Sequence, residues 1–168
     1  VVCHDVPQQI QDSYRLYLAL LYSKKPIVTG AFTNKTVAEM IDMLAILAGG
    51  HDAAREKPRA IFDVCPAPPL IWSNFASGNL IALARAGIPA EIVSVPLAGA
   101  AAPVTLLGAV TQHTAECLAG ITIHQLAKAG SPIVWGGAAC IFDMKKGATP
   151  MGAVETAMLD CSYAQVAK

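Results

Sequence analysis

The amino-acid sequence predicts an α/β fold: a partial (β/α)8 TIM barrel of about four to five βα units with parallel strands, running over residues 1–168 as a single domain and a segment of a larger barrel. Three observations carry this. Four short apolar or β-branched runs each follow a proline: Pro26-Ile-Val-Thr-Gly30, Pro58-Arg-Ala-Ile-Phe-Asp63, Pro89-Ala-Glu-Ile-Val-Ser94 and Pro132-Ile-Val-Trp-Gly136. Proline has no amide to donate, so it suits the start of a strand, where no ladder donor is required. The prolines at 26, 58, 89 and 132 are spaced by 32, 31 and 43 residues, the length of a strand, a helix and two loops. The junctions also repeat, "LARAGIPAEIV" at 83–93 against "LAKAGSPIVW" at 126–135, each a helix end, a C-cap glycine and a proline-led strand. A dinucleotide-binding sheet would want G-x-G-x-x-G after a strand, and neither "GAFTNK" nor "GGAACIF" supplies it. A complete barrel needs roughly 250 residues.

The elements follow in order. Val1-Val2-Cys3 reads as the end of a fifth strand. Asp5 is a plausible N-cap for a helix from Gln8 to Tyr22, with Ile10, Tyr14, Tyr17, Leu18 and Leu21 as its apolar stripe. Asn34 or Thr36 caps a helix through Ala48, and Ser73 or Asn74 one through Ala86. A long helix is expected from about Val104 to Ala129, entered through Pro103 at its first turn, and Thr149-Pro150 opens a last helix to the C-terminus. Regular alternation means parallel pairing through right-handed crossovers.

With 54% hydrophobic and 14% charged residues, most elements should be buried on more than one face. The mean hydropathy of +0.48 invites a membrane reading. The stretch from Ile92 to Leu126 is nevertheless broken by Pro96, Pro103, Gln112, His113, Glu116 and His124, short of the ~20 consecutive apolar residues a span needs. The start, "VVCHDVPQQIQ", has neither the basic nor the apolar region of a secretory signal. Twelve basic and twelve acidic residues cancel, with no like-charge run, which argues against a nucleic-acid partner. Five cysteines, Cys3, Cys65, Cys117, Cys140 and Cys161, are odd in number and scattered. They fit reduced thiols serving as buried filler in a cytoplasmic protein.

In a barrel the chemistry sits in the loops after the strands, here 30–35, 63–73, 94–105 and 135–150. They are poor in charge. His113 and His124 fall inside the long helix and read as packing or hydrogen-bonded residues. No nucleophile triad, metal spacing or phosphate cradle is visible. Such loops would bind a cation by shape and cation–π contact, through Trp72, Trp135, Phe32 or Phe142, with Asp63 or Asp143 adding charge. The competing reading makes the tryptophans core residues and the acids loop caps.

The stretch "PLAGAAAPVTLLGAVTQHTAECLAGITIHQLAKAGSPIVWGG" at 96–137, followed by "FDMKKGATPMGAVE" at 142–155, resembles the trimethylamine methyltransferase family of corrinoid-dependent enzymes. The resemblance rests on a small-residue loop opening a long helix, on Ala115-Glu116-Cys117-Leu118-Ala119-Gly120-Ile121, and on Asp143-Met144 leading to Glu155. It is weaker from Val1 to Val93 and corresponds to the middle section of the family's barrel. It implies transfer of a methyl group from a tertiary or quaternary amine, trimethylamine or glycine betaine, to the Co(I) centre of a corrinoid protein. The corrinoid would be carried by that partner and not bound directly. The family's pyrrolysine position would lie beyond Lys168, so the branch is not decided. Glu116 and Glu155 match family positions and join Asp63, Trp72, Trp135 and Asp143 as candidate substrate-binding residues. A displacement at a quaternary nitrogen needs orientation and a cation-tolerant pocket, not a general acid. The loop Leu97, Ala98, Gly99 and Ala100 would present low relief to the approaching macrocycle, or its small residues would let the long helix pack close. Two other readings stay open: a catalytically silent partial barrel that self-associates through sheet edges and uncovered faces, and an unrelated barrel enzyme.

Overall fold

The computed structural model describes residues 3–168. Of the strand end expected at Val1-Val2-Cys3, Val1 and Val2 lie outside the described residues and Cys3 belongs to no strand. The elements are α1 (Gln11–Tyr22), β1 (Ile27–Thr29), α2 (Asn34–Ala48), α3 (His51–Glu56), β2 (Ala60–Val64), α4 (Asn74–Ala86), β3 (Ala90–Ser94), β4 (Leu97–Ala98), α5 (Leu106–Ala127), β5 (Ile133–Gly137), β6 (Cys140–Ile141) and α6 (Val154–Val166). The four proline-led strands form one sheet in the order β1-β2-β3-β5, as consecutive βα units require. β1 and β2 are parallel, with Ile27 opposite Ala60 and Thr29 opposite Phe62. The leading prolines offer only their carbonyls: Pro89 O accepts from Phe62 N–H at 3.0 Å and Pro132 O from Ala90 N–H at 3.3 Å. The mixed α/β architecture of parallel strands and alternating helices, part of a βα barrel, is therefore the predicted one.

The chain divides into two compact units. The first takes the residues up to Val64, Asn74–Glu91 and Ile123–Val134; the second takes Cys65–Ser73, Ile92–Thr122 and Trp135–Lys168. In the first, Ala60 and Phe62 of β2 and Ala90 of β3 point into a core with Leu16, Met40, Leu80, Leu83 and Ile88, all buried. Alternate positions Ile61, Asp63 and Glu91 are half-buried on the other face, the period-two pattern of a pleated strand. The C-cap glycines expected from the repeated junctions are there: Gly87 and Gly130 have φ of +71° and +79°, the left-handed conformation that closes a helix.

In the second unit β4 and β6 pair in parallel, Leu97 opposite Cys140 and Ala98 opposite Ile141. Ala98, Ala109, Val110, Ala139, Leu159 and Tyr163 form its core cluster. Thus the small-residue stretch after β3 is not a featureless loop: Ala98 is a core residue.

Several boundaries differ from expectation. Asp5 caps nothing: a 3-10 turn at Gln8–Ile10 precedes α1, and neither end has a side-chain cap. The predicted stripe of α1 faces outward, with Ile10, Tyr14, Tyr17 and Leu21 exposed. Its buried face carries Leu16 and Asp12, whose Oδ2 accepts from Phe32 N–H at 2.7 Å while Arg15 Nη2 donates to Gly30 O at 2.6 Å. Periodicity finds a face but not which side it takes. α2 is capped by Thr33, whose Oγ1 accepts from Thr36 N–H at 3.0 Å, one residue before the expected cap. α5 starts at Leu106, beyond Pro103, with Thr105 Oγ1 accepting from Gly108 N–H at 3.2 Å. α6 starts at Val154, because Pro150 first closes a turn onto Ala153 N–H at 3.1 Å. α3, β4 and β6 are additions too short to carry a periodic signal.

Candidate functional site

The second unit is organised around one face of α5, where Gln112, His113, Glu116, Cys117 and Gly120 recur at helical spacing. Glu116 is 1% exposed. A carboxylate so buried must be satisfied by donors, and it is. Ser94 Oγ donates to its Oε2 at 2.5 Å, while Leu70 N–H and Gln112 Nε2 donate to its Oε1 at 2.8 and 3.0 Å. Gln112 Nε2 also donates to Ala101 O at 2.9 Å. The carboxylate thus joins the end of β3 to the loop after β2, and Gln112 extends the link to the stretch after β4.

Trp72, from the loop after β2, packs against the same helix. Its indole N–H donates to Glu116 O at 3.1 Å. Its ring covers Gly120, where any Cβ would overlap Cζ2 of the indole. Trp135, on β5, meets His113 edge-on with centroids 5.5 Å apart. On its other side the imidazole stacks on Tyr163 of α6. Since Gly136 O only accepts, the 3.0 Å contact puts the proton of His113 on Nε2. Burial then holds His113 below its ordinary value, against the opposing pull of the Gly136 bond and the Glu116 charge. Gly137 packs on that ring so closely that a Cβ there would overlap Nε2.

Neighbouring groups are held neutral too. Burial first, then the Glu116 charge, pushes the Cys117 thiol up to about 12, so it is no nucleophile at neutral pH. Burial likewise raises the Tyr163 phenol, helped by Cys140, Asp160, Cys117 and Glu116. Among the described residues, His113 Nδ1, Trp135 Nε1 and Tyr163 OH are buried without a partner. What this arrangement offers a ligand is aromatic surface in fixed orientation.

Of the residues predicted from sequence, Trp72 and Glu116 share a hydrogen bond, and Trp135 belongs to the same helix face through His113. Asp143 is a loop cap: its Oδ1 accepts from Lys145 and Lys146 N–H at 2.9 and 3.2 Å. Glu155 lies exposed in the first turn of α6. Phe142 is half-buried and Phe32 is 69% exposed. Leu97 and Gly99 are half-buried and Ala100 is exposed, while Ala98 points into the core. Asp63 belongs to the first unit, where its carboxyl is raised to about 6 by burial, then by the charge and a hydrogen bond of Glu91. Sequence reasoning missed Leu70, Ser94 and Gln112. The pair Gln112 and Glu116, one turn apart on a helix with no other acid, is the signal that could have found them. Among the described residues, no group of His, Cys, Asp and Glu side chains is placed to hold a metal ion. Among the described residues, no helix is long and apolar enough to cross a membrane.

Comparison with known proteins adds to this geometry. Residues 1–168 match the family described as trimethylamine methyltransferase (MTTB). The chain is 34% identical over 146 residues to the trimethylamine methyltransferase MttB of Desulfitobacterium hafniense strain DCB-2, covering 87% of this chain and 29% of that protein. It is 30% identical over 164 residues to the glycine betaine methyltransferase of Desulfitobacterium hafniense strain Y51, covering 98% and 34%. It is 37% identical over 124 residues to the trimethylamine methyltransferase MttB1 of Methanosarcina mazei, covering 74% and 25%. The chain thus spans about a third or less of the length of these curated relatives.

Proposed function

Because this chain belongs to the trimethylamine methyltransferase family, we propose that it forms part of an enzyme moving a methyl group from a tertiary or quaternary amine to the Co(I) centre of a partner corrinoid protein. The observation that carries the reading is Trp72. Its indole N–H is already committed to Glu116 O at 3.1 Å and its edge is seated on Gly120, so the aromatic face is what remains for a ligand. A trimethylammonium head suits an aromatic face.

The chemistry asks little more of these residues. A quaternary nitrogen leaves as a neutral amine, so no proton has to be delivered to it; a tertiary amine reacts as its ammonium ion, which already carries the proton that lets the secondary amine leave neutral. The Cys117 thiol, kept protonated, adds no competing nucleophile. The corrinoid supplies the methyl-accepting metal when its carrier is bound. On this chain the exposed Ala100 and the half-buried Leu97 and Gly99 form a surface without bulk, which fits the approach of a flat macrocycle; Ala98 supports it from the core. The reading is tested by adding trimethylamine or glycine betaine, with a reduced corrinoid protein, and following methylation of Co(I) by absorbance. Methylation that requires the chain and either amine supports it; none with both amines and an active carrier counts against it.

A second reading, self-association, is favoured by the exposed outer stripe of α1, Ile10, Tyr14, Tyr17 and Leu21. A concentration-independent monomer mass in sedimentation would remove it.

A further inference from the structure

The loop between β2 and α4 has an unusual fixing point. Ala67 and Ile71 exchange both backbone hydrogen bonds, at 2.8 and 3.1 Å, and the turn between them ends in Leu70 at φ +57°. A leucine in the left-handed region is strained by its own Cβ. Packing does not repay this, because the Leu70 side chain is largely in solvent, 62% exposed. What holds it is its amide, which donates to the buried Glu116 Oε1 at 2.8 Å. Two residues on, Trp72 donates to the main-chain carbonyl of the same Glu116. One helical residue therefore grips the loop twice, by side chain and by backbone, on either side of Ile71.

We infer that Glu116 is a positioning residue of this site: its carboxylate imposes the left-handed turn at Leu70 and so sets the orientation in which Trp72 is presented to the amine. Strain kept at one residue by a buried polar partner is a recurrent device for pre-organising a site. The carboxylate is itself braced by Ser94 Oγ and Gln112 Nε2, so it has no freedom to follow the loop. The carboxylate touches no reacting atom in this scheme; it acts through Leu70 and Trp72. The inference rests on the amine reading for its binding consequence, but not for the anchoring itself.

The test compares Glu116→Ala and Glu116→Gln with the parent. Glutamine keeps an Oε1 to accept from Leu70 N–H and Gln112 Nε2, and its amide can donate to Ser94 Oγ. Two readouts are used: hydrogen exchange at the Leu70 amide, and calorimetric affinity for glycine betaine and trimethylamine as probes. E116A should speed Leu70 exchange and weaken amine binding, each by about tenfold or more, as loss of a hydrogen bond to a charged group implies. The α5 amides should stay protected, and E116Q should restore both quantities. Unchanged Leu70 exchange in E116A overturns the inference whatever the affinities do. Faster exchange with unchanged affinity overturns it as well, leaving Glu116 a structural anchor only. If E116Q fails as badly as E116A, the geometric role is overturned in favour of charge. A parent that binds neither amine overturns the amine reading and the binding half with it, while the exchange result still decides whether the carboxylate holds the loop.

Discussion

The imidazole of His113 lies parallel to the phenol ring of Tyr163, with centroids 3.6 Å apart and planes 5° from parallel. This stack joins α5 to α6, and both rings are buried. Replacing Tyr163 by Ala removes one ring of the stack and opens a cavity in the core cluster, a loss expected to cost about 3–5 kcal/mol. Tyr163→Phe keeps the stack and deletes a hydroxyl that has no partner among the described residues. It should leave stability unchanged or raise it by up to about 1 kcal/mol. Chemical unfolding of the two variants distinguishes a packing role from a hydrogen-bonding one.

Gly120 should not accept a side chain. The nearest neighbours of an added Cβ are Cζ2 and Cη2 of Trp72 and Cδ1 of Ile92, and an indole cannot bend out of the way. Gly120→Ala is expected to cost about 1–3 kcal/mol by overpacking, with a red shift of tryptophan emission as Trp72 is displaced toward water. Normal stability and an unshifted spectrum would show that the ring is not seated there.

Asp63 gives a pH signature. Its carboxyl is raised from 3.8 to about 6, chiefly by burial and then by Glu91. Between those values the folded chain keeps a proton that the unfolded chain has released. Its stabilising contribution is therefore complete below 3.8 and is lost as pH rises through about 6. Asp63→Asn should raise the melting temperature at pH 7.5, where the parent must hold two carboxylates side by side. At pH 4 the two proteins should melt together. A gain of equal size at both pH values would mean that charge is not the cause.

The thiols should divide by environment. Cys65 and Cys161 are exposed, Cys117 and Cys140 are buried, and burial raises the latter two thiols. A disulfide reagent at pH 8 should modify Cys65 and Cys161 within minutes and leave Cys117 and Cys140 until denaturant is added. Rapid loss of the Cys117 thiol in the native protein would show that the α5 face opens.

Much of the fold was legible because it is written locally. A proline before each strand and a glycine after a helix are constraints on single residues, so Pro89, Pro132, Gly87 and Gly130 placed their elements without knowledge of the rest. The site was legible only in part. Trp72 and Glu116 were singled out, but the bond between them spans 44 residues of chain and the one from Leu70 spans 46, and no spacing rule reports such distances. Asp143 shows the opposite case, an acid that looked available but whose partners are two and three residues away. The α1 stripe gave a period but no side, which is set by Asp12 and Arg15 finding their partners in Phe32 and Gly30.

Gly120 on α5 receives the ring of Trp72, while Gly137 on β5 receives the ring of His113 from the same helix. One contact is a hollow in the helix and the other a projection from it, so together they fix both its slide and its roll. A residue inserted between 113 and 120 would turn one contact by roughly 100° against the other, and no side-chain rearrangement could restore both. Along this stretch of helix the chain should therefore be free to change its outward residues over evolutionary time, yet closed to insertions and deletions of a single residue.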